Sequence, residues 1–118
     1  MIYGDGEQSR DFTYVENVVE ANLLACEAPN ASGKLFNVGT GARFTLNQTL
    51  QLLGQIAGKR VEAKYDPPRE GDIRDSQADI TQSREILGYN PAIGFEEGLR
   101  RTYEWYRTAH DQQQQPAK

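Results

Sequence analysis

The stretch from Leu35 to Gln48, LFNVGTGARFTLNQ, constrains this chain more than any other. An apolar run ends in Gly-Thr-Gly. Thr45 and Gln48 follow at the spacing of a capping box, in which the two side chains satisfy each other's backbone amides at a helix start. A strand, a glycine turn and a helix are therefore predicted in direct succession, which commits the chain to a mixed class, α/β or α+β. The same outline fits a turn that cradles a dinucleotide pyrophosphate at a helix N-terminus. Two residues argue against that use here. Phe44 stands where a third glycine would let the helix pack closely on the strand. Thr45 caps the helix itself, occupying amides that would otherwise receive phosphate. Glu62 lies at about the spacing of a ribose-binding acid, but early in its strand rather than at its end. The segment reads as a structural turn, not as an NAD site.

The rest of the chain alternates in the same way. Residues 1–9 are turn-rich, with YGDG a tight turn. RDFTYV (10–15) alternates polar and apolar and predicts a short strand. A helix follows from Glu16, with Val15, Val19, Leu23 and Cys26 recurring at a 3.6 period, Val18 and Asn22 beside them. Pro29-Asn30 and Ser32-Gly33 end it. KLFNV (34–38) and RVEAKY (60–65) are further strand candidates. Between them the capped helix carries Leu46, Leu50, Leu53 and Ala57 on one face and stops at Gly58. Pro67-Pro68 opens a charged loop, REGDIRDSQAD, that runs to Asp79. Asp79 or Thr81 caps a short helix through Leu87, ended by Gly88. The final helix is predicted from about Phe95 to His110, with Phe95, Leu99, Thr102/Tyr103 and Tyr106 on one side. Residues 1–110 form the domain and 111–118 a disordered tail.

Composition narrows the function classes. A chain of 118 residues suits one domain. A formal charge of -4 argues against a nucleic-acid partner held by general electrostatics. One cysteine, Cys26, permits no internal disulfide, and one cysteine with one histidine cannot build a zinc site. His110 reads as a surface residue, so no nucleophile-histidine system is in prospect. With no secretory leader in view and no apolar run of membrane-spanning length, a cytoplasmic protein without a membrane partner is expected.

Two stretches carry more specific information: IYGDGEQSRDFTYVENVVEANLLA and REGDIRDSQADITQSREILGYNP. With FNVGTG between them, they resemble the C-terminal part of extended short-chain dehydrogenase/reductase enzymes, the NAD-dependent nucleotide-sugar epimerases and dehydratases. The nearest branch is that of the UDP-glucose / UDP-N-acetylglucosamine 4-epimerases. The resemblance covers the chain to about residue 108. It implies an α/β fold: the C-terminal part of a Rossmann-type extended enzyme, with a small mixed sheet, about four helices and no nucleotide-binding core. It also implies that Arg10, in G-D-G-x-x-x-R-D-F, and Arg69, in R-x-G-D, reach the diphosphate of a UDP-sugar, and that Asp72 lies near the ribose. The chemistry agrees, since guanidinium groups bind phosphate oxygens through paired hydrogen bonds and a carboxylate accepts from hydroxyls. From charge patterning alone, Arg10-Asp11 and the 69–75 run would be solvated surface. Ser76 resembles a gatekeeper beside the sugar's C2 substituent, small enough to admit an N-acetyl group. Asn17, where many members carry Asp, points to the same N-acetylated substrates.

The chain also departs from the family pattern. Members use a Gly-rich NAD turn and a Tyr-x-x-x-Lys pair: NAD takes a hydride from the sugar's C4 while the tyrosine takes the hydroxyl proton. No tyrosine here is followed by lysine at that spacing. The resemblance therefore implies no cofactor and no catalytic residue in this chain, and no turnover by it alone. It also implies that apolar faces are left uncovered, and exposed apolar patches seek partners, so a homodimer or segment-swapped assembly is expected. The alternatives are a non-catalytic interaction module and half of an enzyme completed in trans.

Overall fold

The chain, described over residues 1–113 by a computed structural model, runs β1 (Ile2–Tyr3), β2 (Ser9–Arg10), α1 (Val15–Glu27), β3 (Phe44–Thr45), α2 (Leu46–Ala57), β4 (Tyr65–Asp66), α3 (Thr81–Leu87) and α4 (Phe95–Gln113). The strands make two separate ladders. β1 pairs parallel with β4, Ile2 opposite Tyr65, and β2 pairs antiparallel with β3, Ser9 opposite Thr45. A single bridge joins Ser9 to Asp75 in the charged loop.

α2 begins as its sequence dictates. The Thr45 hydroxyl accepts from the Gln48 amide at 3.0 Å, and the Gln48 side chain accepts from the Thr45 amide at 2.8 Å. Gly58 closes the helix in the left-handed conformation, as it does for Gly88 after α3. Asp79 accepts from both the amide and the hydroxyl of Thr81, anchoring the start of α3.

The strands are shorter than predicted. Of RDFTYV only Arg10 enters a ladder, and of RVEAKY only Tyr65. KLFNV is in no ladder, although its alternation is real: Phe36 and Val38 pack on the core, whereas Leu35 is 93% exposed. Alternation orients side chains but does not supply the neighbouring strand, and none lies beside 34–38 among the described residues.

The core is small. Ala21, Ile80, Leu87 and Tyr89 form its buried centre, with Leu24 and Ala25 of α1 and Ala28 just after it around that centre. This reverses the face predicted for α1. Asn17 and Ala21 are the helix's buried residues, while Val15, Val19 and Leu23 are 64%, 49% and 58% exposed and Cys26 is exposed as well. The helix is apolar on more than one face, and the face with Ala21, Leu24 and Ala25 is the one that packs on the core.

Asn17 has a structural task. Its side-chain amide donates to the Ile93 carbonyl at 2.8 Å and its oxygen accepts from the Ile93 amide at 3.1 Å. That pair fastens α1 to the turn before α4. Phe95 stacks on Phe44 with ring centroids 4.2 Å apart, which joins α4 to β3. Tyr106, predicted on the packed face of α4, is 65% exposed and meets Trp105 edge-on. The helix continues through Gln113, so Asp111–Gln113 are helical rather than part of a disordered tail. The rest of that predicted tail lies outside the described residues. No helix among them is long and apolar enough to cross a membrane, and no cluster of His, Cys, Asp or Glu among them could hold a metal ion.

Candidate functional site

The glycine turn does receive an anion, and the anion belongs to the chain. Asp11 Oδ1 accepts from the Thr40 amide at 2.9 Å and from the Thr40 hydroxyl at 2.7 Å. Asp11 Oδ2 accepts from the Gly41 amide at 3.0 Å and the Ala78 amide at 3.3 Å. Partial burial pushes the Asp11 carboxyl up. The Thr40 hydroxyl and the Thr40, Gly41 and Ala78 amides outweigh it, so the net shift is below the ordinary carboxylate value. Gly39 must be glycine: a Cβ there would stand 2.6 Å from Asp11 Oδ2 and from the Ala78 Cβ. The Gly39 carbonyl accepts from the buried Tyr89 hydroxyl at 2.7 Å. These residues do not fit NAD, because the amides that would cradle a pyrophosphate already hold Asp11 and the Thr45 cap.

The second cluster lies on the other side of Arg10. Its guanidinium donates to Asp72 at 2.9 Å and to the Ser9 carbonyl at 2.7 Å. The R-x-G-D spacing has a backbone cause. The Asp72 amide donates to the Arg69 carbonyl at 3.3 Å, closing a turn in which Gly71 takes φ +79°. That turn carries Arg69 and Asp72 to the same cavity, about 460 Å³, lined also by Tyr3, Gln8 and Arg74. The Arg69 guanidinium lies 3.9 Å over the Tyr3 ring. Arg74 donates to Asp5 at 2.8 Å; this bond holds Asp5 below its ordinary pKa and raises that of Arg74.

Ser76 sits apart from that cavity. Its amide donates to the Ser9 carbonyl at 3.0 Å, and it lines a separate hollow of about 310 Å³ with Asp11, Gly39 and Ala78. Arg10, Arg69 and Asp72 are thus brought together, with Ser76 reached across β2. Sequence reasoning missed Tyr3 and Asp11. Tyr3 had no signal beyond its place in a turn-rich segment. Asp11 adjoins a motif arginine, which was the available clue. Asn17, read as a substrate-branch marker, is engaged with Ile93.

Comparison with known proteins follows the same outline. Residues 1–102 match the family model of GDP-mannose 4,6 dehydratase. The crystal structure of UDP-glucose 4-epimerase from Thermotoga maritima with UDP-glucose is similar, with 47% identity and a TM-score of 0.86, covering 92% of this chain and 35% of that one. MoeE5, solved with UDP-glucuronic acid and NAD, is 36% identical with a TM-score of 0.87, over 92% of this chain and 36% of that one. UDP-N-acetylglucosamine 4-epimerase from Methanobrevibacter ruminantium, in complex with UDP-N-acetylmuramic acid, is 37% identical with a TM-score of 0.84, over 92% and 34%. The chain spans about a third of the length of the curated relatives it matches, and the matched third is their C-terminal part.

Proposed function

The chain belongs to the GDP-mannose 4,6 dehydratase family, within the NAD-dependent extended short-chain dehydrogenase/reductases, and from that premise we propose that it is the UDP-sugar-binding part of a nucleotide-sugar 4-epimerase. The observation that carries the reading is Arg10 paired with Asp72 at 2.9 Å beside the cavity that Arg69 lines. Two guanidinium groups suit a diphosphate, which each can bind through parallel N–H bonds. Asp72 accepts from ribose hydroxyls with the carboxylate capacity its bond to Arg10 leaves over. A cavity of about 460 Å³ is of the size that takes a nucleoside. The flat Tyr3 ring offers the base a stacking surface once Arg69 swings to phosphate. On this arrangement the sugar extends over β2 toward Ser76, whose short side chain leaves room for an N-acetyl group. The substrate range is then UDP-glucose and UDP-galactose together with their N-acetylated counterparts.

The chain by itself is inactive in this reading, since its 118 residues hold no Tyr-x-x-x-Lys pair and its glycine turn is filled by Asp11. Isothermal titration with UDP tests the binding role. Weak, saturable binding that disappears in Arg69→Ala supports it; no binding by the parent chain refutes it.

One observation favours an added role in association. The Val15, Val19 and Leu23 stripe of α1 is exposed, which suits a homodimer formed through that face. Light scattering at micromolar concentration would report a dimer, and a monomer would contradict it.

A further inference from the structure

Asp72, the partner of Arg10, and Ser76 line different hollows, and what fixes one relative to the other is the segment between Arg10 and Ser76 in the bonding scheme. The Ser9-Arg10-Asp11 tripeptide grips the loop along its length. The Ser9 amide donates to the Arg74 carbonyl at 2.9 Å, the Ser9 hydroxyl to Asp75 at 2.5 Å, the Arg10 guanidinium to Asp72 at 2.9 Å, the Ser76 amide to the Ser9 carbonyl at 3.0 Å, and the Ala78 amide to Asp11 at 3.3 Å. Only Asp11 also holds the glycine turn, through Thr40 and Gly41. Gln77 completes the triangle by donating to the Gly41 carbonyl. Ser76 therefore lies on a span bonded to Ser9 of β2 and pinned downstream, through Asp11 and Gln77, to a turn that Tyr89 anchors in the core.

We propose that Asp11 is a positioning residue for the sugar subsite: its carboxylate, shared between the Thr40-Gly41 turn and Ala78, braces the span whose Ser76 amide is bonded to Ser9 of β2, so that the residue at position 76 sets which C2 substituents are accepted. This rests on the UDP-sugar reading above. With the pin in place, size at position 76 is felt by the ligand, because the segment cannot recoil. With the pin loosened, the segment yields and size ceases to matter. Asp11→Asn loosens it: one edge of the side chain then presents N–H donors to backbone N–H donors, whichever way the amide turns.

The test uses the 118-residue chain and the ratio of its affinities for UDP-glucose and UDP-N-acetylglucosamine, measured by isothermal titration. Ser76→Tyr is expected to shift that ratio against the N-acetylated sugar by about tenfold. Adding Asp11→Asn to Ser76→Tyr is expected to return the ratio to within about threefold of the parent. A residue that merely stabilised the fold would lower both affinities together and leave the ratio where Ser76→Tyr had put it, and that result overturns the proposal. A Ser76→Tyr chain with an unshifted ratio overturns it as well. If the parent chain binds neither sugar nucleotide, the UDP-sugar reading itself falls. Should Asp11→Asn fail to fold by circular dichroism, Thr40→Val, which removes one donor to the same carboxylate, takes its place. It is expected to move the ratio in the same direction by a smaller factor.

Discussion

Asp11 and Asp72 both tie a loop to the β2 region, yet the two sites are built differently. Asp11 is half-buried and accepts from two backbone amides of the glycine turn, a hydroxyl and the Ala78 amide. Asp72 is exposed and accepts from one flexible guanidinium at 2.9 Å. The first site uses its donors on itself, so its geometry is fixed before any ligand arrives. The second sets Arg69 on an open cavity with Arg10 beside it, and Arg10 can exchange Asp72 for another anion at small cost, because exposed ion pairs contribute little. Rigid scaffold and available charge thus meet at adjacent residues, since Arg10 ends β2 and Asp11 begins the segment that follows it.

The largest effect should come from breaking the scaffold side. Asp11→Ala leaves the Thr40, Gly41 and Ala78 amides without their acceptor and should cost about 3 kcal/mol of unfolding free energy in urea. Asn17→Asp should cost about 2 kcal/mol, because a carboxylate oxygen would face the Ile93 carbonyl where the amide now donates. Calorimetry on the variant would read it as a lower Tm with no selective change in UDP affinity. Thr45→Ala removes half of the capping box and should cost about 1 kcal/mol. Arg10→Ala, on the ligand side, should change stability by less than about 1 kcal/mol while weakening UDP by about tenfold.

The pH dependence sharpens the same contrast. Asp11 is depressed in the folded chain, so its contribution is present above the unfolded carboxylate value of about 3.9 and is lost as pH falls through the lower folded value. The acid limb of the stability curve should flatten in Asp11→Asn relative to the parent. An unchanged limb would mean that Asp11 is not held as the geometry implies.

How much of this was legible depended on range in the chain. The α2 cap and the Gly58 and Gly88 stops are local, and the residues that make them lie within a turn of each other. The ladders are not local: β1 pairs with β4 more than sixty residues on, and strand alternation in KLFNV or RVEAKY carries no information about a partner. The α1 face was misread because valines and leucines lie on more than one face of the helix, and periodicity cannot rank two apolar faces. The packed face is the one with Asn17 and Ala21, whose small size admits α3 and the Ile93 turn. In the candidate site, the family pattern named Arg69 and Asp72, which the Gly71 turn brings to one cavity. Asp11 was not, because its meaning lies in amides thirty and sixty-seven residues away.

The central claim is that the anion site for a ligand is the cavity that Arg69 and Asp72 line, with Arg10 beside it, and that the glycine turn is already filled. Titrating UDP into the isotopically labelled chain and following its backbone amides tests this most directly. The account predicts saturable shifts at Tyr3, Arg10, Arg69 and Asp72, with Gly39, Thr40 and Gly41 unmoved. Shifts centred on Gly39–Gly41, with the Arg69–Asp72 turn silent, would contradict it.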